Sequence, residues 1–159
     1  LTSRNFAVDD TVAMMTAAML ENYSHRLILN DTFELLVIVT AGVGNAVDAS
    51  KASAHRWEDE SVGTINTWLF INGELAEEGF IQALMTATEA KAKALFDENV
   101  VDPVTNTLAT GTSTDSILVS ATQRGEWFQY AGTITTLGKA IGETVYKCTV
   151  DAVRKGRKR

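Results

Sequence analysis

The sequence predicts an α/β fold: a single domain in which a mixed β-sheet is packed by two or three long helices. Apolar runs typical of strands alternate with longer segments of helical periodicity. One proline and eleven glycines help to mark the boundaries between predicted elements. No linker or internal repeat interrupts the 159 residues. A chain of this length can bury a sizeable core as one domain. We assign residues 1–153 to that domain and residues 154–159 to a basic C-terminal tail.

The first part of the chain is predicted to hold one helix and one strand. Asp9 or Asp10 can cap a helix that runs to about Tyr23. The apolar residues on one face of that helix are Val12, Met15 and Met19. Phe33–Thr40 (FELLVIVT) is a continuous apolar run rich in branched residues, which indicates a strand covered on both faces.

The middle of the chain predicts a loop, a strand and the clearest helix. Ala49–Gly63 is polar and is interpreted as a loop that carries Trp57 among charges. Thr64–Ile71 (TINTWLFI) is the next strand, which the turn signal Asn72-Gly73 closes. Leu75–Phe96 follows as a helix. Its predicted apolar face consists of Phe80, Ile81, Leu84, Met85, Thr88, Ala92, Leu95 and Phe96.

The last part predicts a hairpin and a final helix. Ser116–Thr122 is a strand, and Trp127–Ala131 is predicted to pair back with it after a turn at RGE. A helix covers about Thr136–Val153. Gly138 and Gly142 would cost helix stability unless another backbone packs closely there. The apolar face of this helix consists of Leu137, Ile141, Val145, Cys148 and Ala152.

Composition and charge exclude several classes of protein. The net charge of −6 and the pI of about 4.9 argue against a protein that binds nucleic acid. No apolar run reaches the roughly 18 residues of a membrane-spanning helix. Met14–Leu20 is apolar but lacks a preceding basic flank, so we predict no signal peptide. The terminal RKGRKR is interpreted as a solvated tail rather than a contact for phosphate.

The cysteine and histidine content limits redox and metal chemistry. Cys148 is the one cysteine, so no intramolecular disulfide can form, which fits a reducing, cytoplasmic compartment. His25, His55 and this cysteine have no zinc spacing. A divalent metal held by carboxylates would leave no such signature, and that alternative stays open.

Two polar loops adjoin the predicted strands. In Thr40–Asp48 (TAGVGNAVD) two glycines allow a ligand close to the backbone, and Asn45 can both donate and accept. A lone GxG is a weak signal, and a tight strand exit explains it equally well. In GTIN (63–66), Thr64 and Asn66 share one face of a strand, and we favour a pocket over bonds to neighbouring loops.

A third loop, residues 109–115, is richer in hydroxyls than a turn requires. Gly111 can take a positive φ, and the flanking amides could then form an anion-binding nest. Asp115 lies at the mouth of the following strand, where it can serve as a general base. A turn that satisfies its own backbone is the simpler explanation, but we favour a site. The candidate nucleophiles are Thr110, Thr112, Ser113 and Thr114.

Charged residues of the middle helix offer one further candidate. Glu89 and Lys91 lie about 200° apart around a helix, so they are not expected to serve one site together, although either alone could. The chain has two histidines, and the sequence does not assemble a Ser–His–Asp triad from them.

Five segments of the chain form a recognisable series. They are, in order, TAGVGNA (40–46), GTIN (63–66), TEAKAKAL (88–95), ATGTSTDSILV (109–119) and YAGTITTLGKAIGETV (130–145). Together they resemble one enzyme family, the CbiZ-type adenosylcobinamide amidohydrolases. The resemblance covers roughly residues 35–153. Two positions depart from the family pattern, because Ser113 replaces a common glycine and Ile134 stands where many members have histidine.

The resemblance implies hydrolysis of the amide that joins aminopropanol to the corrin ring of adenosylcobinamide. The product would be adenosylcobyric acid, in corrinoid salvage for cobalamin biosynthesis. Asp115 is implied as general base and acid, while Thr110 and Thr112 would hold the oxyanion or act as nucleophile, although no base adjacent to them is evident from the sequence. The implied substrate-binding residues are Asn45, Thr64, Asn66, Gly111, Ser113, Thr114, Glu89 and Thr133.

The resemblance also bears on partners and leaves rival functions open. The partner is a small-molecule corrinoid, neither nucleic acid nor membrane, and the cobalt belongs to that substrate rather than to a cofactor of the protein. A corrinoid is large and flat, so a homodimer with a shared pocket would make sense. The rivals are a non-catalytic corrinoid-binding protein, an amidohydrolase acting on another small amide, and a structural or regulatory domain.

Overall fold

The computed structural model describes residues 7–56 and 62–157, and ten helices and strands position the candidate site. In chain order they are β1 (Ser24–Leu29), β2 (Glu34–Gly42), β3 (Ala46–Val47), β4 (Thr64–Asn72), β5 (Glu74–Leu75), α1 (Glu77–Asp97), β6 (Gly111–Thr112), β7 (Ser116–Ala121), β8 (Trp127–Phe128) and α2 (Thr136–Arg157). Short 3-10 helices also occur at Val8–Asp10, Leu20–Asn22 and Ala49–Ala54.

The main sheet has four strands in the order β1-β2-β4-β7. β2 pairs antiparallel with both β1 and β4, whereas β7 runs parallel to β4. A parallel neighbour needs a crossover connection, and α1 lies within it. Two small ribbons complete the strand pairing, β3 with β6 and β5 with β8. The predicted α/β class, with a mixed sheet and two long helices, is confirmed.

The core lies between one face of the sheet and the two long helices. Leu35, Val37 and Val39 of β2 alternate into this core and are completely buried. Leu36 and Ile38 point to the opposite face and are only half-buried. The prediction that β2 is covered on both faces is only partly met, because the two long helices pack on its first face. On its second face the short 3-10 helix Leu20–Asn22 lies beside Ile38 and Thr40 and leaves Ile38 half-buried.

The predicted N-terminal helix does not form. Short 3-10 helices at Val8–Asp10 and Leu20–Asn22 flank a stretch without helix, and β1, which the sequence analysis missed, begins at Ser24. The amphipathic pattern predicted a helix that does not form, because the apolar face of that helix would have no core to pack against. All three of its residues are exposed: Val12, Met15 and Met19.

Helix α1 confirms the predicted segment but buries a different face. The residues that face the core are mostly small, whereas several large apolar residues of the predicted face are exposed. Small side chains at a contact let two helices approach closely, and α1 packs against α2 in this way. The buried residues are Gly79, Ala83, Thr86, Ala87, Lys91, Ala94 and Leu95. The exposed ones include Ile81, Leu84, Met85 and Phe96.

The predicted hairpin after β7 is also wrong. β7 itself forms as predicted, but β8 pairs in parallel with β5 instead of returning to β7. The side chain of Gln123 makes two bonds to the backbone of Leu75, at 2.8 and 2.9 Å, and so directs the chain toward β5. Turn signals mark a change of direction but not the partner that the next strand takes.

Helix α2 confirms both its predicted face and the reason for its glycines. The five predicted apolar residues are completely buried. A Cβ on Gly138 would lie 1.9 Å from the carbonyl oxygen of Gly132, so the backbone approaches closely there. The helix continues through Arg157, and Arg154 forms an ion pair with Glu98 at 2.8 Å. Within the described ranges, no helix is both long and apolar enough to cross a lipid bilayer.

Candidate active site

The three polar loops meet where β7 begins, around the carboxylate of Asp115. Its Oδ1 accepts a hydrogen bond from the hydroxyl of Thr112 at 2.5 Å and another from the backbone N–H of Ile65 at 3.0 Å. Its Oδ2 forms an ion pair with Lys91 of α1. Each oxygen of the carboxylate therefore has at least one hydrogen-bond donor, and together these donors fix the orientation of the group.

Lys91 is the site residue that the sequence analysis underestimated. Its side chain is 7% exposed and that of Asp115 is 14% exposed, so the pair is nearly removed from water. A lysine is rarely buried without a partner, because desolvating its charge is costly. The sequence contained one signal for its burial: Lys91 lies four residues from both Ala87 and Leu95, and this spacing places all three on the buried face of α1.

Gly111 makes room for this ion pair rather than shaping a nest. A Cβ at that position would lie 2.5 Å from Asp115 Oδ2 and 2.9 Å from Lys91 Nζ. Its φ is not positive, contrary to the expectation from sequence. The neighbouring amides are also engaged, because Thr110 N–H donates to the carbonyl of Val47 at 2.9 Å. An anion-binding nest is therefore absent from this loop.

The other predicted hydroxyls build the walls of the cluster. Thr64 Oγ1 donates to the carbonyl of Thr114 and Thr114 Oγ1 donates to the carbonyl of Gly63, both at 2.8 Å. Asn45 Nδ2 donates to Ser113 Oγ at 2.7 Å. These bonds tie all three polar loops into one framework around the ion pair.

Asn45 also explains the glycine of GTIN. A Cβ on Gly63 would lie 2.1 Å from Asn45 Oδ1, so only glycine leaves space for the amide. That oxygen is buried without a hydrogen-bond partner. A buried acceptor without a partner is uncommon in proteins and often marks a functional position.

Two predicted residues lie at the edge of the cluster rather than in it. Thr110 Oγ1 accepts a hydrogen bond from the N–H of Ala49 at 3.0 Å and so supports the neighbouring loop. Asn66 is completely buried and donates through Nδ2 to the carbonyl of Met15 at 2.7 Å. It therefore faces the N-terminal segment instead of Asp115.

Glu89 and Thr133 come together elsewhere. Both line a cavity of about 530 Å³ between the two long helices, together with Lys139, Gly142 and Glu143. Ile134 follows Thr133 and is 84% exposed. Because Glu89 leaves α1 about 200° away from Lys91, this cavity is separate from the Asp115 cluster.

A second buried polar network, absent from the sequence-based prediction, lies beyond β3. Asp102 is completely buried and accepts a hydrogen bond from His55 Nε2 at 2.8 Å and from the N–H of Asp48 at 3.0 Å. Burial opposes ionisation of Asp102, but these bonds and those from Val104 and Thr105 hold its pKa well below its usual range.

The carboxylate of Asp48 extends the same network. Hydrogen bonds from Ser50 and then Thr107 lower the pKa of Asp48. Acidic residues scattered along the loops gave no sequence signal for this network. Among the residues described, no three histidine, cysteine or acidic side chains form a group that could hold a metal ion.

The arrangement around Asp115 suits hydrolysis of an unreactive bond. A carboxylate next to a hydroxyl can accept its proton, and the adjoining lysine keeps that carboxylate oriented. Thr112 is half-buried, so it lies between the nearly buried ion pair and solvent. The pattern is that of a hydroxyl, a base and a group that orients the base.

Comparison with known proteins places the chain in a family. The family model for adenosylcobinamide amidohydrolase (CbiZ) matches residues 1–159. An adenosylcobinamide amidohydrolase of Methanosarcina mazei is 30% identical over 146 residues, which cover 86% of this chain and 63% of that protein. An uncharacterized protein of Methanocaldococcus jannaschii is 28% identical over 164 residues, with 92% and 64% covered. The chain thus spans less than two thirds of either relative, and it belongs to the adenosylcobinamide amidohydrolase family.

Proposed function

We propose that this chain hydrolyses the amide that links aminopropanol to the corrin ring of adenosylcobinamide. The products would be adenosylcobyric acid and an aminopropanol, as expected for corrinoid salvage that feeds cobalamin biosynthesis. Membership of the family supports the reaction class. The observation that carries the proposal is the nearly buried pair of Asp115 and Lys91 with the Thr112 hydroxyl bonded to it.

An amide is a poor electrophile, so its hydrolysis requires an activated oxygen nucleophile and a proton for the leaving amine. Asp115 would accept the proton of the nucleophile and then deliver it to the amine nitrogen. Lys91 would keep the carboxylate in place. No step of this scheme needs a metal of the protein, and the cobalt enters with the substrate.

The remaining residues predicted to bind substrate divide into two groups. Asn45, Thr64, Ser113 and Thr114 frame the cluster and would hold its loops in place around the substrate. Glu89 and Thr133 would receive a more distant part of the corrinoid in their own cavity. The homodimer with a shared pocket stays a prediction.

The direct test is incubation of the purified protein with adenosylcobinamide, followed by mass spectrometry of the corrinoid. We expect adenosylcobyric acid from the wild type, and a rate lower by about 10²–10⁴-fold in Asp115→Asn, the usual contribution of a general base. Circular dichroism of the variant checks that it folds.

Two other outcomes would identify a different function, and a third would change the mechanism. A saturable change in corrinoid absorbance without product would mean a binding protein, with Ile134 the first position to examine. Turnover of simple amides but not of the corrinoid would mean an amidohydrolase with another substrate. Unchanged turnover in Asp115→Asn would remove Asp115 from the mechanism.

A further inference from the structure

The hydroxyls of the 110–114 loop are not equivalent. Thr114 Oγ1 donates to the Gly63 carbonyl, and Ser113 Oγ accepts from Asn45. Thr110 Oγ1 lies 3.4 Å from the carbonyl of Val47, to which it donates. Among these described hydroxyls, the one that donates to a carboxylate belongs to Thr112, at 2.5 Å from Asp115 Oδ1. A short hydrogen bond between a hydroxyl and a carboxylate is the arrangement that activates a nucleophile.

Asp115, which the sequence offered as a general base, is thus the base adjacent to Thr112, three residues along the chain. Its two oxygens offer about four acceptor positions. Thr112, the N–H of Ile65 and Lys91 already take three of them. Of these three donors, Thr112 is the one that becomes an oxygen nucleophile when it loses its proton, so its proton is the one that Asp115 is placed to accept.

We propose that Thr112 is the nucleophile and that the reaction passes through a covalent ester between Thr112 and the corrinoid acyl group. The inference rests on the proposed function and deepens it. Gly111 supports it independently, because a side chain there would displace the lysine or the carboxylate that completes the triad. The triad consists of Thr112 as nucleophile, Asp115 as base and Lys91 as the cation that orients the base.

The two half-reactions balance. Thr112 Oγ bonds to the amide carbon while its proton moves to Asp115. The C–N bond then breaks, and Asp115 returns the proton to the departing amine, which leaves as aminopropanol. Next, Asp115 takes a proton from water, the resulting hydroxide attacks the ester carbon, and Thr112 Oγ leaves with the proton from Asp115. One water is consumed, and the acid is released.

The test uses adenosylcobinamide with the wild type, Thr112→Val, Thr112→Ser and a control, Thr88→Val. Valine matches the shape of threonine without its hydroxyl, and serine keeps a nucleophile. Thr88 is an exposed threonine whose hydroxyl bonds to the Leu84 carbonyl of its own helix. Acid-quenched protein is digested and analysed by mass spectrometry for a corrinoid acyl adduct. Parallel reactions contain hydroxylamine, which converts an ester intermediate to the hydroxamate of adenosylcobyric acid.

We expect an adduct on the peptide that holds Thr112, and hydroxamate in proportion to hydroxylamine, in the wild type and Thr88→Val. Thr112→Ser should keep both at a lower rate. Thr112→Val should form neither adduct nor hydroxamate and should retain less than about 1% of wild-type turnover, because loss of one member of a catalytic triad removes most of the rate enhancement.

A folded Thr112→Val that still turns over at a wild-type rate would overturn the inference while leaving the proposed function intact. Turnover in the wild type without adduct or hydroxamate would do the same, because activated water then suffices. If the wild type forms no adenosylcobyric acid, the proposed function itself fails, and the inference fails with it.

Discussion

Asp102 holds together two loops that are distant in the chain. Its carboxylate accepts hydrogen bonds from the His55 ring and from the N–H of Asp48, which lie in one loop. It also accepts hydrogen bonds from the backbone N–H groups of Val104 and Thr105 in its own turn. A completely buried carboxylate is stable only when its charge is met by donors of this kind. The network fixes the chain segment that follows β3, and β3 in turn pairs with the strand that carries Thr112.

The lowered pKa of Asp102 predicts a defined dependence of stability on pH. A carboxylate with a folded pKa below its unfolded value stabilises the fold above the unfolded value, near 3.8, and loses that contribution as the pH falls. At pH 7, Asp102→Asn should lower the free energy of unfolding by about 1–3 kcal/mol, because it leaves buried donors poorly satisfied. The difference from wild type should shrink below about pH 4.

Urea denaturation at pH 7 and pH 3.5 measures this difference. Asp31→Asn, at an exposed acidic residue, is the control and should match the wild type at both values. If the gap between Asp102→Asn and wild type were as large at pH 3.5 as at pH 7, the ionised carboxylate would not be its source.

Which residues form the candidate cluster was only partly readable from the sequence. The crowding of hydroxyls before β7 pointed to the loop in which Thr112 meets Asp115, because a surface turn does not require so many. It did not distinguish Thr112 from Thr110, since that depends on which hydroxyl reaches the carboxylate. Helical geometry separated Glu89 from Lys91, but which one faces the cluster depends on how α1 packs.

At the scale of elements, the two glycines of α2 differ in how closely other atoms approach them. Gly138 meets the backbone of the loop that precedes α2, whereas a Cβ on Gly142 would meet Thr86 Cγ2 at an ordinary 3.5 Å. The two glycines lie one turn apart in the same helix, and they therefore form a matched pair for substitution.

Gly138→Ala should destabilise the fold by about 1–3 kcal/mol or more, the cost of forcing atoms into a packed interior. Gly142→Ala should be neutral or stabilise by up to about 1 kcal/mol, the difference in helix propensity. Thermal unfolding followed by circular dichroism compares the two variants. Equal effects on the two melting temperatures would show that the close approach at Gly138 is not the cause.

The success of sequence-based prediction also differed between elements. Helix α2 was predicted with its correct face because large apolar residues pack in the core on that side. In α1 the large residues are exposed and the small ones are buried, so hydrophobicity indicated the wrong face. β1 was missed since one of its faces is exposed, and β8 was given the wrong partner because pairing between short strands depends on tertiary contacts.

At the scale of the whole molecule, Cys148 can report the opening of the core. Burial raises the pKa of its thiol, and the side chain is completely inaccessible. Because the thiolate is the reactive form, alkylation by iodoacetamide should be at least about 100-fold slower in the native protein than in urea, since reaction requires unfolding. Mass spectrometry of the labelled protein measures both rates. Similar rates would mean that α2 detaches readily from the sheet.

The parallel pairing of β4 and β7 has a consequence for how the protein acquires its chemistry. The carboxylate of Asp115 and its backbone donor, Ile65, are 50 residues apart, and the lysine comes from the crossover helix between them. Contacts that close such long loops form late, because the chain loses conformational entropy before the new contacts stabilise it. During synthesis, the emerging chain can build the β1–β2–β4 meander and α1 before the Asp115 cluster exists. That cluster thus assembles with the last strand of the main sheet, when the fold is nearly complete.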